Sequence, residues 1–241
     1  MSNTSEWITL PTADGPMRTY TARPQGLAAD RAVVVLQEAF GVNDHIQDIA
    51  RRFASRGFLA LAPDLFHRNG VGTLAYDQHA EAMPLIGDIG PDLITTDVSA
   101  VLAHLADNEN IPDARTALVG FCFGGRAAFT AATAIDDLAA TVVFYGPGIA
   151  AGPHAVLDRA KSLDAPMLLH VGDEDPTIPG DHVAAIGTAL TAAGADFEQH
   201  VYPKAGHAFA CDARPHLYEA DAAPVAWERT WSFLNRHLPA C

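Results

Sequence analysis

Six residues, Gly120-Phe121-Cys122-Phe123-Gly124-Gly125, constrain this chain more than any other part of it. The apolar, strand-like run Thr116–Val119 leads straight into this G-x-C-x-G-G turn. An Ala-rich, helix-compatible segment, Arg126 to Ala134, follows. Strand, sharp turn and helix in that order are the layout of a nucleophile elbow, here carrying a thiol in place of the usual serine. The flanking glycines relieve crowding at the turn and let the central side chain project from the sheet. The helix that follows presents free N–H groups and a partial positive charge, both of which stabilise negative charge near the sulfur. A buried cysteine at an ordinary tight turn would look the same locally, so its partners decide the matter.

The chain has 241 residues, 49% of them apolar and 18% charged, which supports a large core. Its formal charge of -14, from 15 basic and 29 acidic residues, argues against nucleic acid or an anionic membrane as partner. Three widely spaced cysteines, Cys122, Cys211 and Cys241, form neither a disulfide framework nor a CxxC pair. No charged-then-apolar leader precedes Pro11 and no apolar run reaches the length of a membrane span. The expectation is a reduced, cytoplasmic, globular protein whose oligomeric state is open.

Strand-like runs alternate with helical ones. The first twenty-odd residues, with Trp7–Leu10 and Arg18–Thr21, read as an antiparallel hairpin. Arg31–Gln37 reads as a buried strand, and 43–56 as a helix capped by Asn43 with Ile46, Ile49, Ala50 and Phe53 on one face. Further strands are expected at Phe58–Ala62, Thr116–Val119, Thr141–Tyr145, Met167–Val171 and Phe197–Tyr202. Helices are expected at 92–106, after the elbow, at 181–193 and from Pro224 onward. The stretch 69–91 reads as an excursion over the site. This alternation predicts a single α/β domain over residues 1–241, with a mostly parallel twisted sheet of about eight strands and helices on both faces. Sites in such sheets lie at the carboxyl ends of the strands.

A cysteine nucleophile needs a base, and the base an orienting acid; the chain order in this layout is nucleophile, acid, histidine. The strand Met167–Val171 is followed by Gly172-Asp173-Glu174-Asp175-Pro176, an acidic loop. The strand Phe197–Tyr202 is followed by Pro203-Lys204-Ala205-Gly206-His207. Asp175 is preferred to Asp173 because Pro176 and Pro179 stiffen its side of the loop. His207 stands out from the other ten histidines by its placement alone. No histidine sits at ligand spacing beside the acidic loop, so no metal is expected. Acyl transfer also needs oxyanion donors, for which the N–H groups of Phe123, just after the nucleophile, and Ala39, after the central strand, are placed. Glu38 emerges from a Val-rich strand into the same region, either as a solvated carboxylate or in contact with the thiol or His207.

Gln37-Glu38-Ala39-Phe40-Gly41-Val42-Asn43, Ala62-Pro63-Asp64-Leu65, the elbow and Ala205-Gly206-His207-Ala208-Phe209 together resemble the dienelactone hydrolase family, the cysteine-nucleophile branch of the α/β-hydrolase fold. The likeness runs from about Thr9 to Leu238. It implies Cys122, Asp175 and His207 as catalytic triad, settles Asp175 over Asp173, and implies Ala39 and Phe123 as oxyanion donors. It also implies that Glu38 engages the resting thiol and that Tyr145 lies near the site. No cofactor is implied.

The departures concern the substrate. The family's namesakes hold a substrate carboxylate with arginines, one of them four residues after the catalytic histidine, where this chain has Cys211. No Lys or Arg occurs between Arg68 and Arg115, whereas Asp77, Glu81, Asp88, Asp92 and Asp97 do. Arg68 or Arg126 could compensate only if the fold brings one into the pocket. The expectation is hydrolysis of neutral small-molecule esters or lactones through a thioacyl-enzyme, with Phe40, Phe123, Tyr145, Phe209 and Cys211 around the pocket. True dienelactone hydrolysis is the alternative within the class. A thiol redox sensor pairing Cys122 with Cys211 is the alternative outside it.

Overall fold

The chain opens with the expected hairpin, β1 (Thr4–Thr12) paired antiparallel with β2 (Gly15–Arg23). The structure, a computed structural model, describes residues 4–26 and 29–240; Cys241 lies outside them. The Val-rich run becomes β3 (Ala32–Leu36), with all five residues buried, as expected of a strand covered on both faces. Helix α1 (Asp44–Ala54) follows, and Asn43 caps it by accepting a hydrogen bond from the Ile46 N–H at 3.1 Å. Its apolar face, Ile46, Ile49, Ala50 and Phe53, is wholly buried.

Strand β4 (Leu59–Pro63) comes next, then α2 (His79–Asp88), α3 (Pro91–Glu109) and β5 (Thr116–Phe121). Helix α4 (Phe123–Ala132), β6 (Ala140–Phe144), β7 (Met167–Gly172), α5 (Gly180–Ala193), β8 (Phe197–Tyr202) and α6 (Ala223–His237) complete the chain. The expected excursion thus contains a helix, α2. Its sequence carries Pro84 and Gly87 and only Ala82 is buried along it, so no apolar face announces it.

Among the described residues one eight-stranded sheet runs in the order β1-β2-β4-β3-β5-β6-β7-β8. The pairings from β4 through β3 to β8 are parallel, and β2 joins them antiparallel through β4. Alternate residues of β3 point to opposite cores: Val33 and Val35 pack with α1 and α6, Val34 and Leu36 with α3 and α4. The fold is that of an α/β-hydrolase. The carboxyl ends of β3, β5, β6, β7 and β8 therefore converge, which is where every candidate site residue lies.

Candidate active site

Cys122 joins β5 to α4 with φ 53° and ψ −118°, a conformation that costs of order 1–3 kcal/mol for a residue with a side chain. The surroundings hold it there. Its N–H donates to the Phe144 carbonyl at 3.0 Å and its carbonyl accepts from the Gly125 N–H at 2.8 Å. The glycines are needed for space: a Cβ on Gly120 would lie 1.9 Å from the Gly124 oxygen, and one on Gly124 2.2 Å from the Leu36 oxygen. The second contact seats the first turn of α4 against the end of β3, beside Glu38 and Ala39. Phe123 opens α4, so its N–H has no acceptor within the helix. Two other site loops carry left-handed residues, Tyr145 (φ 40°) and Ala208 (φ 60°).

The structure brings Cys122, Asp175 and His207 together. His207 Nε2 lies 3.0 Å from Cys122 Sγ, and its Nδ1 lies 2.7 Å from Asp175 Oδ2. Asp175 is fixed from behind, since Oδ1 accepts from the Thr177 N–H at 2.8 Å and from the Thr177 hydroxyl at 2.6 Å. Burial alone would lower the pKa of His207. Coulombic attraction to Cys122 and the ring's hydrogen bonds to Asp175 and Cys122 outweigh it and push the imidazolium up to about 10. Burial pushes Asp175 up, but its bonds to His207 and Thr177 win and hold it below the usual carboxylate range. A charged imidazolium held between sulfur and carboxylate is poised to give a proton to a departing group.

Glu38 departs from expectation. Its Oε1 accepts from Arg214 Nη2 at 2.6 Å, its Oε2 makes no hydrogen bond, and Cys122 turns to His207. A fully buried carboxylate takes the strongest donor within reach, which here is a guanidinium. Arg214 was not legible beforehand. It sits on an irregular loop seven residues after His207, with no periodicity to place it. Thr177 did carry a signal, because Asp-x-Thr is a frequent local hydrogen-bonding pattern.

Cys211 is fully buried and lies behind this ion pair, accepting from Arg214 Nε at 3.4 Å and lying 3.7 Å from the Tyr76 hydroxyl. Burial raises its pKa, but His45 and Arg214 draw the thiol down overall. Glu38, His45 and Cys211 place donor atoms within 4.8 Å of one another. Arg214 already donates to two of the three, and its positive charge opposes a metal ion at that point.

The aromatic residues expected to line the pocket are buried too, because strand ends in a sheet covered on both faces pack inward. Tyr145 stands edge-on to His207 with ring centroids 5.4 Å apart, and Phe209 stands edge-on to Tyr145 at 5.5 Å. Phe40 packs on Tyr76 at 5.0 Å. Tyr145 thus backs His207, Phe209 backs Tyr145, and Phe123 borders an open cavity. The two arginines that could compensate stand differently. Arg68 is held by Asp14 and Asp97, but Arg126 enters the cavity beside Phe123, and Arg214 lies on Glu38.

Comparison with known proteins agrees with this architecture. The family model "Dienelactone hydrolase family" matches residues 17–238. A "Putative carboxymethylenebutenolidase" of Yersinia pestis is 36% identical over 234 residues, 95% of this chain and 87% of that protein. A Salmonella typhimurium protein of the same description is 38% identical over 230 residues, 91% of this chain and 83% of its own length. A crystal structure titled "Putative Dienelactone Hydrolase", from Klebsiella pneumoniae, superposes with a TM-score of 0.86 at 31% identity and covers 96% of this chain and 98% of that one. The chain belongs to the dienelactone hydrolase family, and it is an ester or lactone hydrolase.

Proposed function

We propose that the chain hydrolyses small carboxylic esters or lactones through a thioacyl-enzyme on Cys122. The observation that carries this reading is His207, bridging the Cys122 sulfur at 3.0 Å and the Asp175 carboxylate at 2.7 Å. The Cys122 thiolate attacks the carbonyl carbon, forming a C–S bond and an oxyanion. The N–H groups of Ala39 and Phe123 receive the oxyanion, each such donor being worth about 3–4 kcal/mol. The intermediate collapses as the C–O bond breaks and the departing oxygen takes the proton of His207. Water, deprotonated by His207, then attacks the thioester, releasing the acid and restoring the thiolate–imidazolium pair. Asp175 holds the ring and its tautomer throughout.

The description of the Yersinia and Salmonella relatives favours a dienelactone as one such substrate. A redox pairing of Cys122 with Cys211 has less support, because Cys211 is fully buried and bonded to Arg214. The test is hydrolysis of p-nitrophenyl butyrate and of a dienelactone by the wild type and by Cys122→Ala. Turnover of either that disappears in the variant supports the reading. Absence of Cys122-dependent hydrolysis, with a peroxide-induced disulfide between Cys122 and Cys211, would replace it with the redox one.

A further inference from the structure

Cys211 is fully buried, yet its sulfur lies among polar groups. Arg214 Nε donates to it at 3.4 Å, and the Tyr76 hydroxyl lies 3.7 Å away. Glu38 and His45 bring a carboxylate oxygen and a ring nitrogen within 4.8 Å of the sulfur. His45, on the first turn of α1, is backed in turn by Asp212, whose Oδ1 lies 3.3 Å from its Nδ1. Asp212 Oδ2 accepts from Arg52 at 2.5 Å. Thiol, imidazole and carboxylate thus recur in the order of the triad, and the proposed reaction uses none of these three.

A guanidinium donates and never accepts, so the bond from Arg214 takes a sulfur lone pair and favours the anion. Burial opposes the charged forms of both Cys211 and His45. The pull of thiol and imidazole on each other, and of Arg214 on the sulfur, outweighs it. Among the described residues Arg214 meets two acceptors, Cys211 Sγ at 3.4 Å and Glu38 Oε1 at 2.6 Å, and its guanidinium lies over the Tyr76 ring at 4.6 Å. Glu38 hangs from Arg214 alone, since its Oε2 makes no hydrogen bond. Whatever fixes Arg214 therefore fixes Glu38. Leu36 pairs with Gly120 across β3 and β5, so Glu38 and Cys122, each two residues further on, leave neighbouring strands at one level. A carboxylate released there would set its charge against a thiolate on Cys122.

We propose that Cys211 is a positioning residue for Cys122: its thiolate, with the proton held on His45, anchors Arg214 so that Glu38 stays off the nucleophile. Ionisation breaks the S–H bond of Cys211 and forms an N–H bond on the imidazole, with no net change of charge. Asp212 steadies the imidazolium from its far side. The consequence for catalysis rests on the hydrolase reading above; the placement of Glu38 does not.

The test is the rate at which iodoacetamide alkylates Cys122 at neutral pH, followed by intact mass and assigned by peptide mapping. Cys211→Ala is expected to slow it by about tenfold, the low end of what a neighbouring like charge does to a thiolate. Adding Glu38→Gln, which keeps an acceptor for Arg214 but carries no charge, is expected to restore the rate. Damage that is merely structural at Cys211 would not be repaired at Glu38. An unchanged rate in Cys211→Ala, or a loss that Glu38→Gln leaves in place, would overturn the proposal. The thiolate is read separately, by its ultraviolet absorbance in Cys122→Ala at neutral pH. Adding either Cys211→Ala or His45→Gln to that protein should lower the absorbance; a signal unchanged by either would overturn the ionised pair. Neither measurement needs turnover. Glu38-dependent alkylation in a protein that hydrolyses no ester would sustain the anchor and sink the hydrolase.

Discussion

Arg214 donates from Nη2 to Glu38 Oε1 over 2.6 Å, with the carboxylate fully buried and the guanidinium nearly so. The partner that the resemblance assigned to the thiol is thus engaged in a buried ion pair. Removing one member strands the other charge: Glu38→Ala and Arg214→Ala should each cost about 3–5 kcal/mol in urea unfolding. The double variant should lose less than the sum of the two. Additive losses would mean that the pair does not act as a unit.

Asp175 Oδ2 lies 2.7 Å from His207 Nδ1, where it is placed to orient the ring in the proposed reaction. Asp175→Asn keeps the shape but donates where it should accept, so kcat should fall by about 10³–10⁴-fold. Thr177→Val, which removes one of two bonds to Asp175 Oδ1, should cost far less, about tenfold at most. Steady-state rates on one chromogenic ester decide this.

The pKa of His207 is raised to about 10 in the folded protein, above the 6.5 of an unperturbed imidazole. Its protonated form therefore adds stability in full below pH 6.5, and that contribution disappears as pH rises through about 10. The difference in Tm between wild type and His207→Gln should be greatest near pH 6 and should vanish above pH 10. The rate should fall on the same alkaline limb, since the leaving group then lacks its donor.

His170 shows the opposite behaviour. It is completely buried, bonded to the Tyr202 hydroxyl at 2.8 Å and to Thr230 Oγ1 at 3.0 Å, and burial drives its pKa well below the ordinary value. The unfolded chain takes up a proton that the folded one refuses, so stability should fall as pH drops below 6.5. His170→Gln should flatten that slope in denaturation measured between pH 7 and pH 5.

Gly124→Ala should be severely destabilising, by several kcal/mol, because a Cβ would meet the Leu36 oxygen at 2.2 Å with backbone on both sides. Gly180→Ala, where nothing lies within 4 Å, should instead stabilise by about 0.4–1 kcal/mol. Comparing the two Tm values separates a glycine needed for space from one that is not.

Where sequence spacing and local chemistry coincide, the site could be read in advance. Gly120, Gly124 and Gly125 around Cys122 announce a turn that admits no Cβ, and an Asp loop and a His loop after successive parallel strands announce the rest. Residues brought in by irregular chain could not be read. Arg214 reaches Glu38 across 176 positions, and α2 hides behind Pro84 and Gly87 with a single buried residue. Arg126 was visible as a residue, but the cavity it closes depends on α2 and on the loop after β6, whose packing no local pattern encodes.

The central claim is a covalent acyl group on the Cys122 sulfur. Acid-quenched intact mass after mixing with p-nitrophenyl butyrate, followed by peptide mapping, tests it directly. One butyryl group per chain is expected, on the peptide bearing Cys122 and absent in Cys122→Ala. Hydrolysis proceeding at full rate in Cys122→Ala, or an adduct mapped to any other residue, would contradict it.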